Sequence, residues 1–253
     1  MVWHKGNDKV ETTPPHDIQG LDIASYLPRG KGAHVLIDLM RKSQEVLKEH
    51  ILNRERERNG KKKVTSIWLW GQGKAPKFPN FREKYVVEGS VISAVDLIKG
   101  IAIYTGLNVI EVPGATGYLD TNYMGKAQYA LKSLEKSDFV YVHVEAPDEA
   151  SHNGDLNNKI KAIENFDSMV VGTVVETIEK CGDYKILTLC DHPTPISIRT
   201  HTRDPVPFII YPFRKKDVFH SNGYSEKAAA KRGCIINDGH TLMSHFLGNH
   251  EVS

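Results

Sequence analysis

The sequence has few cysteines, no long apolar run and almost no net charge. Its three cysteines are an odd number at long spacing without a CxxC pair, which disfavours a disulfide framework and a cysteine-based zinc site. No apolar run approaches the ~20 residues that cross a bilayer, and the polar N-terminus lacks an apolar signal core. Lys plus Arg total 33 and Asp plus Glu total 31, so nothing global indicates nucleic acid. We therefore predict a cytoplasmic protein without a membrane or nucleic-acid partner.

The remaining composition is that of an ordinary globular chain, with 40% hydrophobic and 25% charged residues. Residues 1–34 are rich in Pro, Gly and polar groups, which predicts irregular structure. A charge run at 53–63 predicts a solvated segment and a boundary. We therefore predict one domain over 1–63 and a second over 64–253.

Strand and helix patterns alternate beyond this boundary, and one further helix is predicted before it. The predicted strands are 64–70, 107–112, 138–144, 185–190 and 206–211, and the predicted helices are 35–52, 91–104, 122–136, 158–180, 225–233 and 239–247. This alternation predicts an α/β fold in which helices flank a mostly parallel sheet.

Aspartate and histidine residues stand at the ends of three of the predicted strands. Asp148 and His152 follow one strand and are four residues apart, so a helix would place both on one face. Asp191 and His192 directly follow another strand, and His201 precedes the last. Because open α/β sheets bind ligands at the carboxyl ends of their strands, these residues predict a site.

The residue types at this predicted site favour divalent metal ions. Aspartate with imidazole suits Mn²⁺ or Zn²⁺. Five such residues exceed the need of one open site, which suggests two ions and phosphoryl transfer. Each segment also has a simpler interpretation, as a helix cap with a surface histidine, a turn cap before proline, or an isolated histidine. The residues alone leave both interpretations open.

Seven motifs through most of the chain carry a family resemblance. They lie at 12–17, 67–73, 91–100, 112–123, 145–152, 191–195 and 199–208. In this order they are similar to motifs of the archaeal-type, 2,3-bisphosphoglycerate-independent phosphoglycerate mutases of the alkaline phosphatase superfamily. The resemblance implies an alkaline phosphatase-like α/β fold, with residues 1–63 as a remnant of the family's inserted cap domain.

The resemblance also implies an activity and a ligand set. The activity is interconversion of 2-phosphoglycerate and 3-phosphoglycerate in glycolysis and gluconeogenesis, with two divalent ions (Mn, Zn, Co or Mg) and no bisphosphoglycerate. The first ion would be held by Asp148, His152 and His201. The second would be held by Asp191 and His192, together with an Asp and the nucleophilic Ser from the N-terminal part of the family's chains.

The chain departs from the family in that N-terminal part. Neither the family's opening Asp-Gly strand nor its Ser motif occurs in the sequence, so we expect a truncated chain without its own catalytic nucleophile. Alone, it should bind one divalent ion weakly to moderately and lack mutase activity. Its partner would be the missing N-terminal segment or a second copy. The alternatives are a non-catalytic metal-binding remnant or assembly module of a split mutase, and a phosphatase or phosphonate hydrolase activity.

Three basic residues are candidates for binding the phosphate or carboxylate of a three-carbon phosphorylated acid. They are Lys99, Lys126 and Arg199, with Tyr118 and Asn122 as weaker candidates for polar contacts. Each cation is also compatible with a solvated or helix-capping role.

Overall fold

The computed structural model describes residues 1–212 and 223–248. The chain forms two compact units, Met1–Pro76 and Lys77–Ser253. Residues 64–76, which we predicted to belong to the second domain, lie in the first unit, whereas the assignment of 1–63 to a cap domain stays a prediction. None of the helices in the described part of the chain combines the length and apolar character that a membrane crossing requires.

The first unit is built around two helices, α1 (Ala33–Lys48) and α2 (Ile51–Arg58). The single helix predicted over 35–52 is therefore interrupted, because the His50 side chain accepts a hydrogen bond from Leu52 N and starts a new helix. Short 3₁₀ turns precede α1 at Pro15–Ile18 and Ile23–Tyr26. One core cluster of the unit consists of Val10, Ala33 and Leu36 with Leu69 packed against them.

The strand predicted over 64–70 is wrong. This segment has no strand partner in the described structure, and side chains hold it instead. The buried Asn53 accepts from Val64 N at 2.8 Å and donates to Val64 O at 2.7 Å. Ser43 Oγ accepts from Ile67 N at 3.0 Å. The apolar pattern thus reflects packing within the unit and not a sheet.

The second unit alternates strands and helices. Its elements are α3 (Phe81–Tyr85), β1 (Gly89–Ile92), α4 (Asp96–Thr105), β2 (Asn108–Val109), α5 (Tyr123–Leu134), β3 (Phe139–Val142), α6 (Ala146–His152), α7 (Leu156–Asn165), a π-helical segment (Phe166–Gly172), α8 (Thr173–Ile178), β4 (Ile186–Leu189), β5 (Phe208–Tyr211), α9 (Glu226–Arg232), a 3₁₀ turn (Gly239–Thr241) and α10 (Leu242–Leu247).

The central strand of the parallel sheet is β1, which pairs with β2 on one side and β3 on the other. Gly89 lies opposite Phe139, and Ile92 lies opposite Val142. Strands β4 and β5 form a separate antiparallel pair. The parallel sheet with its helices confirms the predicted α/β class.

The helix predicted over 91–104 is wrong in its first turn. Val91 and Ile92 belong to β1, where both are buried, and α4 starts only at Asp96. Ser93 Oγ accepts from Val95 N at 3.0 Å and so forms the turn between strand and helix. Short runs of Val and Ile fit a buried strand as well as a helix, so periodicity alone could not separate them.

Alanines allow helices α5, α6 and α7 to pack closely. Ala127 on α5, Ala146 on α6 and Ala162 on α7 are almost completely buried in one cluster. The predicted helix over 158–180 forms as α7, the π-helical segment and α8. On α7 the large apolar residues Ile160 and Ile163 are about half exposed. The small side chains instead face the core and let α6 approach α5 and α7.

The close packing around Gly89 at the start of β1 leaves no room for a larger residue. A Cβ on Gly89 would lie 2.8 Å from both Leu107 Cδ2 and Phe139 Cδ1. We expect Gly89→Ala to lower the free energy of unfolding by about 1–3 kcal/mol through overpacking, measured by urea denaturation. The control is Gly100→Ala on α4, where a Cβ meets open space and helix propensity should add about 0.5–1 kcal/mol. Equal effects of the two substitutions would contradict the packing argument.

Candidate metal centre

Helix α6 positions the first two predicted ligands. The chain leaves β3 and enters α6 through Glu145, with Pro147 in the first turn, where its missing N–H leaves no unmet bond. Asp148 and His152 are one turn apart and project from the same face. His152 is buried, whereas Asp148 is partly exposed.

The loop between β4 and β5, which internal hydrogen bonds hold in place, carries the other three predicted ligands. Asp191 and His192 open this loop at the end of β4, and His201 lies near its close. Two backbone hydrogen bonds fold it back on itself, from Arg199 N to Pro195 O at 2.9 Å and from Thr202 N to Pro193 O at 3.1 Å. Lys159 Nζ on α7 fastens the loop by donating to Thr194 O at 2.8 Å. The loop thereby presents its histidines to α6.

Three ligand-type side chains converge between α6 and this loop. His152 Nε2 lies 3.1 Å from His201 Nε2 and 3.3 Å from Asp148 Oδ2. His201 Nε2 lies 3.5 Å from Asp148 Oδ1. Ligand atoms that share one ion at about 2.0–2.2 Å are separated from one another by roughly 3.0–3.5 Å. The spacing and the nitrogen–oxygen donor set therefore fit a divalent cation.

His192 extends the cluster toward Asp191. Its ring lies against that of His201, with centroids 3.7 Å apart and the ring planes tilted by 35°. Donor atoms of Asp148, His192 and His201 all lie within 4.8 Å of one another. His192 Nε2 also lies 3.3 Å from Asp191 Oδ2. All five predicted ligands are thus brought to one region, with Asp191 at its exposed edge.

Further groups orient the ligands. Thr194, which is buried, donates its hydroxyl hydrogen to Asp148 Oδ1, and its Oγ1 lies 3.2 Å from His192 Nδ1. His152 Nδ1 lies 2.8 Å from Arg199 O. Such contacts from outside the ligand set fix the orientation of metal-binding side chains.

Several carboxylates give the surroundings of the centre a negative charge. Burial, followed by the nearby Glu149 and Asp148 carboxylates, raises the pKa of Glu145 to about 6. Burial lowers the pKa of Lys126 to about 8, with Glu145 opposing that shift. Closely spaced carboxylates stabilise a bound cation and are stabilised by it in return.

Sequence analysis missed one histidine of this region. His143 follows β3, and its Nδ1 lies 3.2 Å from Oγ of the buried Ser93. Burial lowers its pKa, while Asp191 acts in the opposite direction, which places the ring within electrostatic reach of the centre. The strand alternation that pairs Tyr141 with His143 on one face was the available signal.

The predicted substrate-binding residues have diverse environments. Lys99 forms an ion pair with Glu111 at 2.9 Å. Lys126 is fully buried and donates to His143 O at 2.9 Å. Arg199 is exposed and contacts the centre through its carbonyl.

The two weaker candidates lie in the loop before α5. Asn122 caps α5 by accepting from Gly125 N at 2.8 Å, which is a structural role. Tyr118 is exposed. Their substrate contacts stay predictions.

Comparison with known proteins places most of the chain in one family. A family model described as the metalloenzyme superfamily matches residues 9–247. The chain is 50% identical over 247 residues to a probable 2,3-bisphosphoglycerate-independent phosphoglycerate mutase of Geobacter sulfurreducens, covering 98% of this chain and 62% of that protein. It is 53% identical over 224 residues to the Methanosarcina barkeri 2,3-bisphosphoglycerate-independent phosphoglycerate mutase, covering 88% of this chain and 56% of that protein. The chain thus spans about three fifths of the length of these relatives.

A solved structure of a Pyrococcus horikoshii protein has the same fold over much of its length. The TM-score is 0.63 at 31% identity, and the alignment covers 79% of this chain and 52% of that one. Together with the sequence matches, this likeness confirms the predicted resemblance.

Loss of one converging ligand should weaken metal binding. We expect the chain to bind one equivalent of Mn²⁺ in calorimetric titration, and His201→Ala to weaken that binding by more than about tenfold, since even outer contacts cost that much. The matched control is His240→Ala, which removes an exposed histidine of the same unit. Unchanged affinity in His201→Ala would show that these side chains do not form the site.

Burial of Lys126 should make stability depend on pH. Its pKa is about 8 in the folded chain and about 10.4 when unfolded, so the unfolded state binds more protons between these values. The free energy of unfolding should therefore rise with pH across this window, by at most about 3 kcal/mol. Urea denaturation across the window should show that Lys126→Met loses this rise, whereas Lys132→Met, which alters an exposed lysine of α5, keeps it. A rise of equal size in Lys126→Met would contradict the assignment.

Proposed function

Because this chain belongs to the metalloenzyme superfamily, we propose that it forms the metal-binding part of a phosphoglycerate mutase that needs no 2,3-bisphosphoglycerate. The reaction is the interconversion of 2-phosphoglycerate and 3-phosphoglycerate, and the substrate is a small phosphorylated three-carbon acid. The activity named for relatives that are 50–53% identical supports this proposal. A place in glycolysis or gluconeogenesis and the free cysteines favour a cytoplasmic location.

The observation that carries the proposal is the convergence of Asp148, His152 and His201 with donor separations of 3.1–3.5 Å. In our proposal these residues hold one divalent ion, and the adjacent pair Asp191 and His192 contributes to a second. Divalent ions at such a centre supply positive charge to phosphoryl oxygens and lower the pKa of a hydroxyl nucleophile.

The residues of this chain prepare the centre for that chemistry. Thr194 and the Arg199 carbonyl hold Asp148 and His152 in place, so that little reorganisation is needed when charge develops on the phosphoryl group. Preorganised electrostatics of this kind supply a large part of the rate in phosphoryl transfer.

Substrate binding is assigned to the basic candidates, in different ways. Arg199 is exposed and positioned to reach an anion from solvent. Lys126 acts from the interior, where its charge lies against His143 O and near Glu145. Lys99 forms an ion pair with Glu111, so it could bind the substrate only by leaving that partner.

The nucleophile is assigned to residues outside the 253 of this chain. The relatives' remaining two fifths are the source of the Ser and of the further ligands of the second ion in our proposal. The partner is thus a polypeptide corresponding to that part of the relatives, with a second copy of this chain as the alternative.

A coupled mutase assay with Mn²⁺ tests the proposal. We expect no turnover by the chain alone and turnover when the unmatched segment of the Geobacter sulfurreducens relative is added in trans. The control is the same mixture with Asp148→Asn, which keeps the side-chain shape but removes the charge at the point of convergence and should abolish activity.

The other outcomes are equally informative. Mn²⁺ binding without turnover, both by the chain alone and by the chain with the added segment, would overturn the mutase proposal in favour of a non-catalytic metal-binding module. Turnover by the chain alone would show that its nucleophile lies within these 253 residues. Hydrolysis of phosphate monoesters without mutase turnover would indicate the phosphatase alternative.

A further inference from the structure

Arg199 adopts a backbone conformation that is uncommon for its residue type. Its φ is 56°, in the left-handed region, which non-glycine residues rarely occupy and which tends to be retained at functional sites. The residue lies two positions before His201, in the loop that presents the histidines. Because this backbone conformation is strained, the contacts around Arg199 must stabilise it.

The contact that needs it is the one to His152. Arg199 N donates to Pro195 O at 2.9 Å, and the left-handed turn then directs Arg199 O to His152 Nδ1 at 2.8 Å. A carbonyl oxygen can only accept, so Nδ1 must carry the proton. The lone pair of the neutral ring is then on Nε2, the atom that faces Asp148 at 3.3 Å and His201 at 3.1 Å.

The side chain of Arg199 lies against the turn that ends α6. A Cβ on Gly154, whose φ is 70°, would lie 2.5 Å from Arg199 Nε. The guanidinium therefore occupies the space above Gly154, beyond the last residue of α6. This contact seats the residue beside His152 but supplies no donor atom to the centre.

We propose that Arg199 is a positioning residue of the metal centre, whose left-handed backbone fixes the Nδ1-protonated tautomer of His152 and so directs Nε2 to the ion. This inference rests on the proposed metal-binding function and assigns to the Arg199 backbone a role separate from the anion contact of its side chain. Carbonyl or carboxylate partners of this kind typically set metal affinity by tenfold to a hundredfold.

Two substitutions separate the backbone from the side chain. Arg199→Asn removes the guanidinium but keeps a residue that tolerates the left-handed region, whereas Arg199→Val places a β-branched residue there, for which it is a genuine outlier. We expect Arg199→Val to weaken Mn²⁺ binding by about tenfold to a hundredfold and Arg199→Asn to stay within about threefold of the unchanged chain.

The tautomer provides a readout independent of metal. Long-range ¹H–¹⁵N NMR of the metal-free chain should show His152 protonated on Nδ1 in the unchanged chain and in Arg199→Asn, and a mixture of tautomers in Arg199→Val. Failure of the unchanged chain to bind Mn²⁺ would overturn the proposed function, while the NMR comparison would still decide this inference.

A second left-handed residue serves as the control for general backbone effects. Val86 has a φ of 59° at the end of α3 and is exposed. Val86→Gly should change neither the His152 spectrum nor the Mn²⁺ affinity. Equal effects of Arg199→Asn and Arg199→Val, or an unchanged tautomer in Arg199→Val, would overturn the assignment of this role to the backbone.

Discussion

The carboxylate of Asp148 is the group on which the rest of the centre depends. One of its oxygens lies 3.3 Å from His152 Nε2 on the same helix, and the other lies 3.5 Å from His201 Nε2 on the loop and accepts from Thr194. It therefore joins α6 to the loop between β4 and β5 in a single set of contacts. Removing its charge would leave two imidazoles facing each other with no anion between them.

The position of that carboxylate follows from how closely the helices pack. Ala146 at the start of α6 and Ala162 on α7 are buried against Ala127 of α5, and larger side chains at these positions would push α6 outward. Lys159 on α7 then holds the opposing loop through Thr194 O at 2.8 Å. Helices α6 and α7 thus position the two sides of the centre, and the spacing of the candidate ligands depends on how these helices pack.

Sequence patterns could single out the candidate ligands but could not show how they come together. The helical spacing of Asp148 and His152 was visible, because helix α6 obeys a simple period. The contact between the rings of His192 and His201 was not, because it depends on backbone hydrogen bonds within an irregular loop. Lys126 is predicted as a substrate contact, and its complete burial on α5 could not be inferred because lysine is rarely found in a protein interior.

The charges of the centre also determine the order in which it can fill. Burial raises the pKa of Glu145 to about 6, and the neighbouring Glu149 and Asp148 carboxylates add to the shift because adjacent carboxylates resist ionising together. Among the basic candidates, Lys99 is paired with Glu111 and Lys126 is buried, whereas Arg199 is exposed. Within the proposed function, an anionic phosphate would meet these carboxylates as well as Arg199, and we infer that bound cations neutralise the carboxylates first. In this view the metal ions and Arg199 together form the phosphate site, and the carboxylates of the polypeptide attract the ions.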